Sequence, residues 1–255
     1  ILFTAGILLS QVGLKFWILV LVLSLFPLLA IVSQLFHVRP IWPILIYTTN
    51  ILYILVRSRI IGISNAYSSD EMKYHTVAID VSQNFPTGSI VYSEGTLGEA
   101  IIIYTNFSGF FYRIFDSSMV LMPIINSCIY AISAILFIHT LFNIYTKYSD
   151  LAGILFVIYP AGTLLTATHL RESLTLFFVA VVLLQFSTAR DHFNMNDIII
   201  MTIGMIMLLL LRTEVFLALL FGMTTTVLLQ RSKEALIQIG GFSAFISFFW
   251  YFLNL

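Results

Sequence analysis

The chain has 255 residues, of which 60% are hydrophobic and 9% charged, and its formal net charge is zero. A mean hydropathy of +1.01 excludes an ordinary soluble domain, whose surface needs far more polar groups. Charge neutrality offers no footing for nucleic acid, and the single cysteine, Cys128, excludes an internal disulfide.

Taken in chain order, Ile1–Leu14 reads as a partial span. Phe16–Phe36 reads as a full one, with Pro27 as a candidate kink. The break "HVRP" precedes a further span, Ile41–Val56. Residues 58–117 form the only long polar region. Apolar segments then follow at Ser118–Asn143, Leu151–Leu170, Glu172–Ser187, Ile198–Leu211, Val215–Leu229 and Leu236–Leu255, for about nine membrane segments in all. No alternation of a barrel type occurs, so all should be helical. The expected fold is all-α. It is a polytopic transmembrane helical bundle with one long extracytoplasmic loop containing short amphipathic helices. The organisation is 1–57 as N-terminal spans, 58–117 as the loop and 118–255 as the remaining bundle. A start at Ile1 and an end inside an apolar run at Leu255 read as a piece of a longer chain.

Two stretches carry charge where lipid would not welcome it. Residues 198–229 hold only Arg212 and Glu214 as charges. As one helix they would run about 48 Å, too long for a single span. Residues 151–187 repeat the problem around His169, Arg171 and Glu172. Both are expected to be tight helical hairpins turning on these charges. Parity then puts both turns on the face of the 58–117 loop. Lys147, Arg190, Arg231, Lys233 and Arg39 fall on the opposite face, which the positive-inside rule makes cytoplasmic. Lys15, Arg57 and Arg59 count against that orientation.

On this topology Asp70, Glu71, Glu94, Glu99, His169, Arg171, Glu172, Arg212 and Glu214 gather on one side. Charges at membrane depth cost about 2.5–3.5 kcal/mol on insertion scales, so they are paired, wet or functional. Acids and arginines together suit an anionic substrate whose reaction moves a proton. Each residue also has a plainer reading. "SSDE" is a capping box, with Ser68 as N-cap and Glu71 at the third helical position. Tyr74, Ala78 and Val81 form a helical packing stripe. His75 reads as a surface or interface residue. Arg212 and Glu214 read equally well as structural partners of the first hairpin. "NFS" at 106–108 matches a glycosylation acceptor, a common tripeptide. No phosphate-binding glycine loop, HExxH or zinc-binding cysteine pair is present.

Several stretches resemble the GT-C superfamily of membrane glycosyltransferases, in particular protein O-mannosyltransferases, aminoarabinose transferases and the bacterial family 39 relatives. These are "ILVRSRIIGISNAYSSDEMKYHTVA" (54–78), "FSGFFYRIFDSSMVLMPIINSCIYAI" (107–132), "YPAGTLLTATHLRESLTLFF" (159–178) and "LLLLRTEVFLALL" (208–220). The resemblance implies a polyprenyl-phosphate sugar as donor, an acceptor hydroxyl, and an active site outside the bacterial inner membrane. It implies Asp70 as general base with Glu71 beside it. Arg171 and Arg212 would bind the lipid phosphate. Glu172 and Glu214 would orient the arginines or contact the sugar, while Tyr74 and His169 line the pocket. Some members use a divalent metal beside acidic motifs, and the "SDE" run leaves metal use open. Two extra segments precede the expected first helix, which leaves subfamily and acceptor open. An O-antigen or exopolysaccharide polymerase and a transporter or flippase are the competing readings.

Overall fold

The computed structural model describes residues 16–62, 68–84, 99–115, 117–144, 149–159, 162–164, 167–191 and 194–230. The expected terminal spans Ile1–Leu14 and Leu236–Leu255, and Glu94, lie outside them. The described residues are helical throughout their regular structure. The helices of ten residues or more are α1 (Phe16–Leu35), α2 (Ile41–Ile61), α3 (Ser69–Asn84), α4 (Glu99–Ile114) and α5 (Leu121–Ile144). They continue with α6 (Ser149–Ile158), α7 (Glu172–Asp191), α8 (Met195–Leu211) and α9 (Thr213–Gln230). The chain divides into two compact units, Ile1–Leu211 and Arg212–Leu255. The second unit opens at Arg212, whose carbonyl accepts the Phe216 N–H at 3.1 Å as α9 begins.

Four helices are long and apolar enough to cross a membrane: Phe16–Leu35, Ile41–Ile60, Leu121–Asn143 and Glu172–Ala189. Their burial differs sharply. The apolar window of α5 is 83% buried, whereas those of α1 and α2 are 22% and 28% buried. Helix α5 is therefore the axis of the first unit, and α1, α2, α6 and α7 pack around it. The outer helices leave Val20, Ile31, Leu52, Val56 and Ile60 exposed. Such apolar faces on helices of spanning length fit a lipid surround.

The serine and threonine hydroxyls of the axis are satisfied within it. Ser127, Ser133 and Thr140 each donate to the carbonyl four residues back at 2.8 Å, so burying them leaves no orphan hydroxyl proton. The "HVRP" break is a helix stop. His37 takes a left-handed φ of 53°. The Val38 N–H reaches the Ser33 carbonyl at 2.9 Å and the His37 N–H reaches Gln34 at 3.1 Å, a Schellman pattern. Just beyond, Asp150 at the start of α6 takes Arg39 at 2.9 Å and the Trp42 indole N–H at 2.9 Å. Arg39 and Asp150 thus share one end of the first unit.

The expected span Leu151–Leu170 is corrected. Helix α6 stops at Ile158, two residues before Pro160, which disfavours helix at the preceding position and removes a donor. Ten residues rise only about 15 Å, half of a hydrocarbon core. The chain reaches α7 through a non-helical turn at 167–171.

The polar region contributes α3 and α4, which pack on each other. Their contact is tight at Gly109, where an added Cβ would sit 2.8 Å from the Val81 Cβ and 3.1 Å from the Ala78 carbonyl. Gly109→Ala is expected to push the two helices apart and cost about 1–3 kcal/mol, read as a lower thermal midpoint in detergent micelles, while Gly222→Ala, with open space around it, should leave the midpoint unchanged.

Candidate functional site

The turn at 167–171 is where the first unit concentrates its buried polarity. Ala167, Thr168 and His169 are buried, and buried non-helical backbone must find partners for its N–H and C=O groups. Side chains supply them from three directions. Asn126 on α5 donates from Nδ2 toward the carbonyls of Thr168 and Leu170 at 2.8 and 2.9 Å. Arg57, near the end of α2, donates to the Ala167 carbonyl at 3.2 Å. Glu71, on α3, accepts the His169 N–H at 2.9 Å.

Glu71 is fully buried, and its other oxygen meets the Arg57 guanidinium at 2.7 Å. The capping expected from "SSDE" is present, since Ser68 Oγ accepts the Glu71 N–H at 3.2 Å. The Glu71 carboxylate itself does different work: it joins the end of α2, the start of α3 and the 167–171 turn. Asp70, one residue earlier, points the other way. Its side chain is 68% exposed and lies 3.8 Å from Lys73.

Aromatic rings wall the cluster. Tyr74 packs edge-on against Tyr104 at 5.3 Å and lies 6.3 Å from the His169 ring. Tyr104 is buried and its hydroxyl accepts from Asn126 at 2.9 Å. Burial pushes the Tyr104 phenol well above its usual range against the pull of that amide, and the Tyr112 phenol and Glu172 carboxylate add to the rise. Burial likewise raises Tyr112, with Glu71 adding to it. Both phenols keep their protons.

A line of hydrogen bonds runs through these groups. His75 Nδ1 lies 2.6 Å from Tyr112 Oη. Tyr112 Oη lies 3.4 Å from His169 Nδ1, and His169 Nε2 lies 3.1 Å from Ser108 Oγ. Ser108 donates to the Tyr104 carbonyl at 2.9 Å. Since that donation uses the one hydroxyl proton, Ser108 Oγ accepts from His169 Nε2–H. A neutral His169 then offers Nδ1 to Tyr112, and when the Tyr112 proton is directed there Tyr112 accepts from His75 Nδ1–H. His169 is held neutral: burial pushes its pKa down to about 3, with His75 and Arg57 adding to the effect. Burial also lowers His75, against the pull of Glu71.

Of the residues expected from sequence, Glu71, Tyr74, His169 and Glu172 converge here. Arg171 follows in the same turn, caps α7 with a carbonyl bond from Thr175 N–H at 3.0 Å, and buries an Nε that has no partner among the described residues. Asp70 sits on the exposed rim. Arg212 and Glu214 belong to the second unit. The site also holds Arg57, Tyr104, Ser108, Tyr112 and Asn126, which sequence reasoning did not select. Arg57 carried a signal, as a charge inside the apolar run "ILYILVRSR". Within the sequon at 106–108, Ser108 is buried and Asn106 half-buried. Among the described residues no group of three or more His, Cys, Asp or Glu side chains is placed to hold a metal ion. Comparison of the chain with protein-family models, curated proteins and solved structures finds no match.

Two outcomes follow from this geometry. Arg57→Ala strands a buried carboxylate and is expected to cost about 3–5 kcal/mol, whereas Arg57→Ala with Glu71→Ala together should cost less than the sum, measured as a double-mutant cycle of unfolding in detergent. His169 is neutral in the fold down to about pH 3 but takes a proton near 6.5 when unfolded. Its contribution to stability is therefore complete above pH 6.5 and is lost as pH falls toward 3, by about 1.4 kcal/mol per pH unit. Thermal midpoints recorded across that window should fall less steeply in His169→Gln than in the wild type.

Proposed function

We propose that the chain is part of a membrane glycosyltransferase that moves a sugar from a polyprenyl-phosphate donor to an acceptor hydroxyl, on the extracytoplasmic face. The observation that carries this reading is Arg171. Its Nε is buried with no partner among the described residues, at the start of a helix whose dipole favours an anion. An unpartnered buried guanidinium nitrogen is costly, and a lipid-borne phosphate supplies the planar, charged acceptor it fits.

The Glu71 clamp supports the same reading. It ties the first turn of α3 to the Arg171 turn, so the Asp70 and Arg171 backbones are at most about 20 Å apart by bond lengths along the path. Long side chains span much of such a gap. Arg171 would neutralise charge on the departing phosphate as the glycosidic bond breaks, and Glu172 and Tyr74 would lie beside the sugar. The acceptor's proton needs a base on the rim. The resemblance gives that role to Asp70, with Glu71 as the holder of the turn behind it. A transporter is the second reading, favoured by the buried non-helical turn at 167–171 ahead of α7, a form that lines substrate paths in secondary transporters.

The test uses the full chain in lipid nanodiscs with polyprenyl-phosphate hexoses carrying a radiolabelled sugar. The wild type should release polyprenyl phosphate and labelled product, and Arg171→Ala should raise the donor KM about 10–100-fold, the loss expected for a charged hydrogen bond. Unchanged donor KM in Arg171→Ala refutes the phosphate assignment. Movement of intact donor across a vesicle bilayer without sugar release favours the transporter.

A further inference from the structure

We infer that His75 Nε2 is the atom that takes the acceptor hydroxyl's proton at this site. The inference rests on the transferase reading above and names a role within it that the resemblance gives to Asp70.

The argument starts from orientation. Asp70 is solvated and pairs with Lys73 at 3.8 Å on its own helix, an exposed pair that fixes little. His75 is held from behind. Its Nδ1 is 2.6 Å from Tyr112 Oη, its ring stacks edge-on against Tyr112 at 5.4 Å, and the His169 ring stands 6.1 Å away. With the Tyr112 proton assigned to His169 Nδ1, Tyr112 Oη accepts from His75 Nδ1–H and Nε2 carries the lone pair. Nε2 has no partner among the described residues, and the ring is partly exposed. A base whose far nitrogen is anchored by a hydroxyl, itself anchored by a second imidazole, is the oriented-base arrangement used in nucleophilic catalysis.

Charge supports the assignment. The groups facing His75 are Glu71 on its own helix, Tyr112 from α4 and His169 from the 167–171 turn, with Arg57 behind Glu71. Glu71 lies near enough to favour an imidazolium, while burial disfavours it. The ring is thus neutral at rest near pH 7, as a base must be, and has a carboxylate at hand when it charges.

The step balances as follows. The acceptor oxygen attacks the anomeric carbon, and the bond from that carbon to the phosphate oxygen breaks, its electron pair leaving on polyprenyl phosphate. The hydroxyl proton passes to His75 Nε2 and from there to water. The Nδ1–H stays on Tyr112 throughout.

The experiment follows labelled-sugar transfer in nanodiscs against pH for the wild type, His75→Gln, Tyr112→Phe and Asp70→Asn. It runs beside diethylpyrocarbonate labelling of the wild type read by mass spectrometry. His75→Gln is expected to lower kcat about 10²–10⁴-fold with donor KM unchanged and to erase the fall in rate on acidification. That acid limb should persist in Asp70→Asn whatever its rate. Tyr112→Phe, which keeps the ring and loses the anchor, should lower kcat less. Reagent should modify His75 and spare His169. Wild-type transfer with the acid limb intact in His75→Gln, or with His75 refractory to the reagent, overturns this inference alone. Absence of transfer by the wild type with every donor overturns the transferase reading, and this inference with it.

Discussion

One carboxylate holds the first unit's polar end together. Glu71 is a buried charge, and a buried charge survives only with full compensation. It has Arg57 at 2.7 Å and the His169 N–H at 2.9 Å. These contacts reach back 14 residues to α2 and forward 98 residues to the turn before α7. Neither partner could be spared. Without Arg57 the charge is stranded, and without the turn one oxygen lies buried and dry. Because the ends of three elements depend on the same group, they move together or not at all.

The rest of the unit is organised so that this is where polarity concentrates. Along α5 the hydroxyls of Ser127, Ser133 and Thr140 turn inward on their own helix, which lets these positions pass among apolar neighbours without exposed donors. Asn126 is the departure. Its amide nitrogen lies between Tyr104 and the carbonyls of Thr168 and Leu170, so the axis itself supports the turn that Glu71 fastens from the other side. The turn at 167–171 thus has carbonyls met from α2 and α5 and an N–H met from α3. A helix would have satisfied those groups internally. The break makes them available to distant side chains, and this is how residues far apart in the chain come to share one cluster.

The difference between what was legible in the sequence and what was not follows from range. Runs of about 20 apolar residues announce spans by length alone, and α1, α2, α5 and α7 are found where such runs lie. The Ser68–Glu71 cap is a three-residue spacing and was equally readable. Leu151–Leu170 misled because its apolar content is continuous while its backbone is not; Pro160 was the warning, outweighed by hydropathy. Tyr104, Tyr112 and Asn126 sit inside apolar or aromatic stretches where a single polar group looks like ordinary packing. Their significance comes only from partners 22 to 57 residues away, and no local period encodes that. Arg57 was counted as a loop charge because topology rules count charges by face and not by partner. Parity put Glu71, His169 and Glu172 on one side and the resemblance added Tyr74, but the division of labour between Asp70 and Glu71 was not legible, since adjacent residues on a helix face different ways.

That division sets the electrostatics of the cluster. Glu71 and Arg57 cancel each other. His169 stays neutral through burial, and both phenols remain protonated. On the rim, Asp70 faces Lys73. Two further charges, Arg171 and Glu172, open α7 beside the positive end of the helix dipole. A cluster of many titratable groups therefore presents a local field governed by few of them. The buried members supply fixed hydrogen bonds, and the members at the helix start supply charge. An anion approaching this end would sense Arg171 and the α7 dipole at short range, with Glu172 as the opposing term. Its selectivity would turn on whether the ligand carries a hydroxyl or other donor for Glu172 alongside the negative group that Arg171 receives.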